Sequence, residues 1–276
     1  MGARELGNPL GNALALRRKA GGGLEIVTPA IIDFVNGESG DFTLPEGFSF
    51  FRITVVGGGA TSTSDATSAG GGGGLSRTAI LPFRKNLIVS YVAGIGGVRS
   101  GGGILEDGGT STAKFDTTLL TATGGNSRGP GGVGSGGQDN YSGGIGAARS
   151  SAGTGGGGAA GFGDNGGAGG TNGANGSPSL TGGGGGAGGA NTLGGAGGGG
   201  VFAPGGKRFQ SFASVTTTGG TRAPYWGAPG DDAPLGNSAA NAGSGGNWGG
   251  GAGSTAPGTV NTTPVGGYGG VRIELW

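Results

Sequence analysis

Between residues 155 and 200, every third position is glycine except at Asp164, Ser179 and Asn191. That frame holds 16 positions, 13 of them Gly, whereas the 30 positions of the other two frames together hold 12. A period of three fits neither the α-helix, at 3.6 residues per turn, nor the strand, at 2.0. It fits the left-handed polyproline II helix, which turns once every three residues. One side of such a helix would carry only hydrogen atoms, so helices could approach closely enough to bond backbone to backbone. A polyproline II helix makes no internal hydrogen bonds, so buried peptide groups would have to find partners on neighbouring helices. A disordered linker is the alternative for so glycine-rich a chain. Against it stand the period and the scarcity of charge: from 151 to 206 the one charged residue is Asp164.

Composition narrows the chemistry. The chain has 276 residues, 81 of them Gly, with no His, no Cys and a net charge of +1. Disulfides and thiolate or imidazole metal sites are excluded. The charge gives no reason to expect nucleic acid as a partner. No apolar run approaches the ~20 residues of a membrane span, and residues 1–23 lack the apolar core of a secretory signal. Membrane insertion is not expected.

Residues 1–23 read as a separate arm for attachment to a larger assembly, with 12–19 able to form two helical turns before Gly21, Gly22 and Gly23 stop them. From 24 to 122 the pattern is β. Short apolar runs at 26–27 and 31–35 precede the turn dipeptide Asn36-Gly37, and 41–44 precedes the turn at 45–47. Residues 48–56 form the clearest strand. Phe48, Phe50, Arg52, Thr54 and Val56 face one way, and Ser49, Phe51, Ile53 and Val55 the other. Further strands are expected at 75–81, 87–93, 111–115 and 119–122, with 82–86 a hairpin-like link between the first two. The terminal residues 271–276 alternate again and would complete the core. From 123 onward, glycine tracts alternate with richer insertions, expected as loops where the helices reverse. The fold expected is therefore mainly β and irregular, with almost no α-helix. A small β-sandwich base (24–122 plus strand 271–276) would carry a bundle of polyglycine II helices in 123–276, separate from 41–122 or in one domain with it.

Catalysis is hard to build from these residues. Without His or Cys, the acid–base candidates are scattered Asp, Glu, Lys and Tyr, so no enzyme, cofactor or metal is expected. Asp231-Asp232 reads as a solvated turn, with a cation or carbohydrate contact as the alternative, and Glu106-Asp107 as an ordinary turn, with Ca²⁺ as the alternative. Gly57-Gly58-Gly59 after a strand imitates a dinucleotide loop, but no amphipathic helix follows to hold a phosphate. Gly205-Gly206-Lys207 fails as a phosphate loop because Val201 and Arg208 stand where Gly and Ser or Thr are needed. What remains is the decoration of loops. Lys207 and Arg208 adjoin Phe209 and Phe212, Tyr225 and Trp226 lie between Arg222 and the pair Asp231 and Asp232, Tyr141 ends one insertion, and Trp248 stands amid Gly and Asn. These rings either plug the ends of the bundle as small cores or form a binding surface, since Tyr, Trp and Arg anchor interfaces.

The series FRITVVGGGA, GGGGLSRTAILPF, LIVSYVAGIGG, GGTSTAKFDTTLLTATGG and GGYGGVRIELW, spanning about 41–276, resembles the glycine-rich domain of bacteriophage tail fibres and adhesins. The long glycine tract is similar to the polyglycine II sandwich of distal tail-fibre adhesins. The resemblance implies a virion protein of the tail fibre or tail tip. Its loops at one end of the sandwich would contact a bacterial surface receptor, an outer-membrane protein or polysaccharide. It also implies docking on other tail proteins through the N-terminal region, with a homotrimer as one expected assembly. The receptor role would fall on the insertions carrying Tyr141, Lys207, Arg208, Phe209, Phe212, Arg222, Tyr225, Trp226, Asp231, Asp232 and Trp248. The alternatives are a purely structural tail connector or decoration, and a glycine-rich ice-binding protein, which would want a flat face of regularly spaced small side chains.

Overall fold

The computed structural model describes residues 29–62, 69–98, 106–148, 154–171, 174–186, 196–201, 244–253 and 264–276, together with the backbone of five further strands. Those five are β1 (Glu5–Leu6), β2 (Leu14–Arg18), β3 (Leu24–Val27), β14 (Arg208–Ser211) and β15 (Ser214–Thr217). The others are β4 (Ala30–Val35), β5 (Ser39–Thr43), β6 (Phe50–Val56), β7 (Leu75–Arg77), β8 (Leu81–Pro82), β9 (Ile88–Val92), β10 (Ser111–Phe115), β11 (Thr118–Ala122), β12 (Gly134–Ser135), β13 (Asp139–Tyr141) and β16 (Gly270–Leu275). No α-helix occurs among the described residues, and none there is long and apolar enough to cross a membrane.

Two antiparallel sheets form a sandwich, one ordered β12-β11-β10-β9-β5 and the other β13-β7-β6-β16-β4 with β8 also on β6. Period-two alternation decides what fills it. Phe51, Ile53 and Val55 of β6 and Val271, Ile273 and Leu275 of β16 meet Val89, Ala113, Phe115 and Leu120 from the other sheet. The opposite face of β6 and β16 is also buried, although it carries charge. Arg52 and Glu274 are cross-strand partners joined by two bonds of 2.6 and 3.0 Å, and each is 2% exposed. Arg272 grips Asp33 on β4 in the same bidentate way, at 2.6 and 2.7 Å.

The sheets do not end where their strands end; they run on as glycine tracts. Strand β6 continues into 57–62, tract 69–74 leads into β7, β9 continues into 94–98, and 106–110 leads into β10. Hydrogen bonds establish the helical period. In tract 69–74 the N–H groups of Ala69 and Gly72 reach Ala147 and Gly144, those of Gly70 and Gly73 reach Ala252 and Gly249, and those of Gly71 and Gly74 reach Asn126 and Thr123. Donors three residues apart thus serve the same neighbour, as one turn per three residues requires. The carbonyls of this tract accept in turn from Ala60, Gly132 and Gly157, so six tracts ring it. Tract 154–161 repeats the pattern: Gly155 and Gly158 donate to Gly170 and Gly167, Gly156 and Ala159 to Ala196 and Gly199, Gly157 and Ala160 to Gly70 and Gly73. Buried Ser111 stitches sandwich to bundle, donating to the Val56 carbonyl at 2.6 Å and accepting from Gly94 N–H at 2.8 Å.

Three local expectations need correction. Residues 14–18 are the strand β2, paired with β3, and not part of a helix. A two-turn helix is marginal alone, and strand pairing across the intervening glycines wins. Residues 82–86 do not close a hairpin. Strands β7 and β8 pair with β6, whereas β9 pairs with β5 and β10, so this segment crosses from one sheet to the other. The bundle is not confined to 123–276, for Gly57, Gly58 and Gly59 open one of its tracts and the first half of the chain contributes to it as well.

Candidate functional site

The tracts give the bundle two distinct ends. At the near end, against the sandwich, Val56, Leu75, Ala159, Ala160, Phe162, Val201 and Trp248 form a second apolar cluster, with Tyr141 and Tyr268 packed on it. Trp248 is 5% exposed, and Arg272 stands over its ring at 5.4 Å from the centroid. It also holds a left-handed backbone, φ 62°, which is uncommon for a bulky residue and is followed by Gly249 at φ 92°. The expected receptor role of Trp248 is therefore corrected: the ring is a plug of the near end, because a large apolar side chain fits the one step where tracts meet sheet. Tyr141, half-buried in β13, packs on the same cluster.

Also at the near end, Asp164 organises two turns. Its carboxylate accepts from the Ser179 hydroxyl at 2.8 Å, the Thr181 hydroxyl at 2.8 Å, and the N–H groups of Leu180, Thr181 and Gly182 at 2.6, 3.2 and 3.1 Å. Desolvation by burial pushes the Asp164 pKa up, but donation from Leu180, Ser179 and Thr181 outweighs it and holds the carboxyl below its ordinary value. A lowered folded pKa means the clasp stabilises fully above the unfolded carboxylate pKa, about 3.9, and is lost as pH falls through the folded value. Asp164→Asn is expected to cost about 1–2 kcal/mol at neutral pH and to flatten the acid limb of the stability profile, as read by urea unfolding at a series of pH values. The sequence marked this pair without explaining it, for Asp164 and Ser179 are two of the three breaks in the glycine frame.

The far end is built differently. Thr61 N–H donates to the Glu106 carbonyl, its hydroxyl donates to the Pro264 carbonyl at 2.7 Å, and Ala69 N–H donates to Ala147. Ala147 bonds Gly155, Gly155 bonds Gly170, and Gly170 bonds Gly186. The residues flanking 63–68, 99–105, 149–153, 172–173, 187–195 and 254–263 are therefore all gathered at this end. One complete reversal is described there. Asp107 accepts from Ser127 N–H at 2.7 Å and from the Asn126 amide at 3.1 Å, Asn126 accepts from Arg128 N–H at 2.8 Å, and Arg128 is exposed on the resulting turn. Asp107 thus clasps the turn, and no group of three or more acidic residues suited to a metal occurs among the described residues.

Most of the expected site residues belong to one long insertion. Lys207, Phe212, Arg222, Tyr225, Trp226, Asp231 and Asp232 lie outside the described residues, and of Arg208 and Phe209 only the strand backbone of β14, paired with β15, is described. The insertion leaves from Val201, buried at the near end, and returns at Ser244, whose hydroxyl accepts from Val265 N–H at 3.3 Å near the far end. The structure thus brings Tyr141 and Trp248 together in a core and sets neither beside the far-end turn.

No protein-family model and no curated protein matches the chain.

Arg128 was not singled out from the sequence, whereas Glu106-Asp107 was read as a turn. The signal for Arg128 was the turn tetrad NSRG at 126–129, one of many short polar segments set between glycine tracts.

Proposed function

We propose that this protein is a phage tail-fibre or tail-tip adhesin that recognises a bacterial surface receptor non-covalently. The observation that carries the reading is the gathering, at the end of the bundle opposite the sandwich, of the flanks of six segments rich in Ser, Thr, Asn and Gly. A scaffold that fixes loop stems by cross-linked backbone and leaves the sequence between them free suits recognition, as loops on rigid frameworks generally do. The sandwich end, where the chain enters β4 after Pro29, would face the virion and other tail proteins.

The test is binding of the purified chain to host cells and its competition with phage adsorption. Saturable binding is expected, weakened by about tenfold in Arg128→Ala, which removes the exposed cation of the far-end turn. Phe209→Ala and Trp226→Ala test the long insertion in the same assay. A folded chain that binds no host cell would favour the second reading, a structural tail component in which the cross-linked bundle serves as a stiff spacer.

A further inference from the structure

Six of the exposed large apolar residues, Ile88, Val92, Ile95, Val98, Leu119 and Val133, belong to one sheet and its extensions. The surface concerned comprises the outward side of the sheet β12-β11-β10-β9-β5 and the tracts that prolong it. Along a single line of chain, Ile88 and Val92 of β9 are 52% and 45% exposed, and Ile95 and Val98 of the following tract 48% and 44%. Beside this line runs another, Lys114 and Thr112 of β10 followed by Thr110 and Asp107, with Lys114, Thr110 and Asp107 exposed. The register joins the two lines: Thr112 stands opposite Val92, and Gly109 N–H donates to Ile95.

We infer that this surface is a self-complementary interface with a second copy of the chain, related by a two-fold axis lying across the strands at Thr110. Strand and polyproline II rises of about 3.4 and 3.1 Å place Lys114 and Asp107 about 11–12 Å on either side of a level just beside Thr110. A two-fold at that level sets each Lys114 over the partner's Asp107. It also sets Ile88 and Val92 over the partner's Val98 and Ile95. Opposite charges and apolar pairs both match under one operation, as an isologous contact requires. The size fits as well. Five strands about 4.8 Å apart, with a strand and tract about 32 Å long, give roughly 750 Å², against about 800 Å² per partner in a standard interface.

The chain contains no cysteine, so single-cysteine variants report cleanly. Sedimentation of the full chain is expected to give twice its 25.7 kDa mass, and Val92→Glu is expected to shift it to a monomer that keeps the parent's circular-dichroism spectrum and melts lower by no more than the lost association accounts for. Thr110→Cys, next to the axis, is expected to form a disulfide-linked dimer on mild oxidation. Lys114→Cys alone should not cross-link, but should do so when mixed with Asp107→Cys. A monomer up to about 100 μM, a trimer, or self-cross-linking of Lys114→Cys in place of Thr110→Cys would each overturn the inference.

Discussion

Gly72→Ala is expected to abolish folding, or to leave a chain that melts far below the parent. A Cβ at Gly72 would stand 2.0 Å from the Gly158 carbonyl oxygen and 2.4 Å from its carbon. Both atoms are backbone, in a tract bonded to its own neighbours, so neither can rotate aside as a flexible side chain would. Ordinary overpacking costs about 1–3 kcal/mol because side chains and backbone shift a little. Here the neighbouring tract would have to separate, and with it the bonds that Gly144 and Gly251 donate to Gly158 and Gly157. The expected loss is therefore above about 4 kcal/mol, the range reserved for gross disruption. Gly163→Ala is the control. It is exposed, and its added Cβ would meet Thr181 at 3.5 Å, an ordinary contact. Thermal unfolding followed by circular dichroism should leave Gly163→Ala within about 0.5–1 kcal/mol of the parent. Equal tolerance at both positions would refute the close-packed bundle.

Glu274→Ala is expected to destabilise by about 3–5 kcal/mol, the second large effect. The carboxylate lies on the buried face of β6 and β16 turned away from the sandwich core, and its loss removes the anion that the buried Arg52 guanidinium grips. Salt cannot replace a partner that water does not reach. The double variant Arg52→Met, Glu274→Leu is expected to recover most of that loss, because an apolar pair of similar volume avoids desolvation altogether. Urea unfolding of the two variants checks both statements. If the double variant were no better than the single one, the pair would have to be credited with net stabilisation beyond charge balance. A conserved slope of free energy against urea would show that the native state stays as compact as the parent.

The parts of the fold legible in the sequence were those with enough repeats to show a period. The alternation of residues 48–56 divided the side chains of β6 between two faces, and the set with Phe51, Ile53 and Val55 is the one that enters the sandwich. The three-residue period was visible at 155–200 because many turns accumulate there. It was not visible at 57–62 or 94–98, where about two turns of the same helix look like a glycine turn. Segment 82–86 misled because proximity in sequence favours hairpins, whereas Leu81, Phe83 and Leu87 each contribute to the core and carry the chain between sheets. At the candidate site, the sequence drew attention to the residue-rich insertions, most of which lie outside the described residues, and not to the short segments whose flanks gather at the far end. Nothing local distinguishes Trp248, sealed under Arg272, from a ring held out to solvent. The far-end gathering arises from cross-tract bonding, which pairs residues far apart in sequence.

The place of β16 has a kinetic consequence. It lies between β4 and β6, and the pair it brings together, Arg52 with Glu274, is separated by 222 positions in the sequence. The centre of one sheet cannot close until the whole glycine bundle has been threaded and folded back. Loop-closure entropy must be met before that pairing stabilises anything, which slows folding in proteins dominated by distant contacts. Until then β4 and β6 present open edges, the state in which a β protein is most exposed to mispairing with its neighbours. Once β16 is seated, the same topology works in reverse. Extracting the central strand means breaking two ladders at once, so the finished molecule should unfold slowly and hold its shape long after equilibrium would allow it to open.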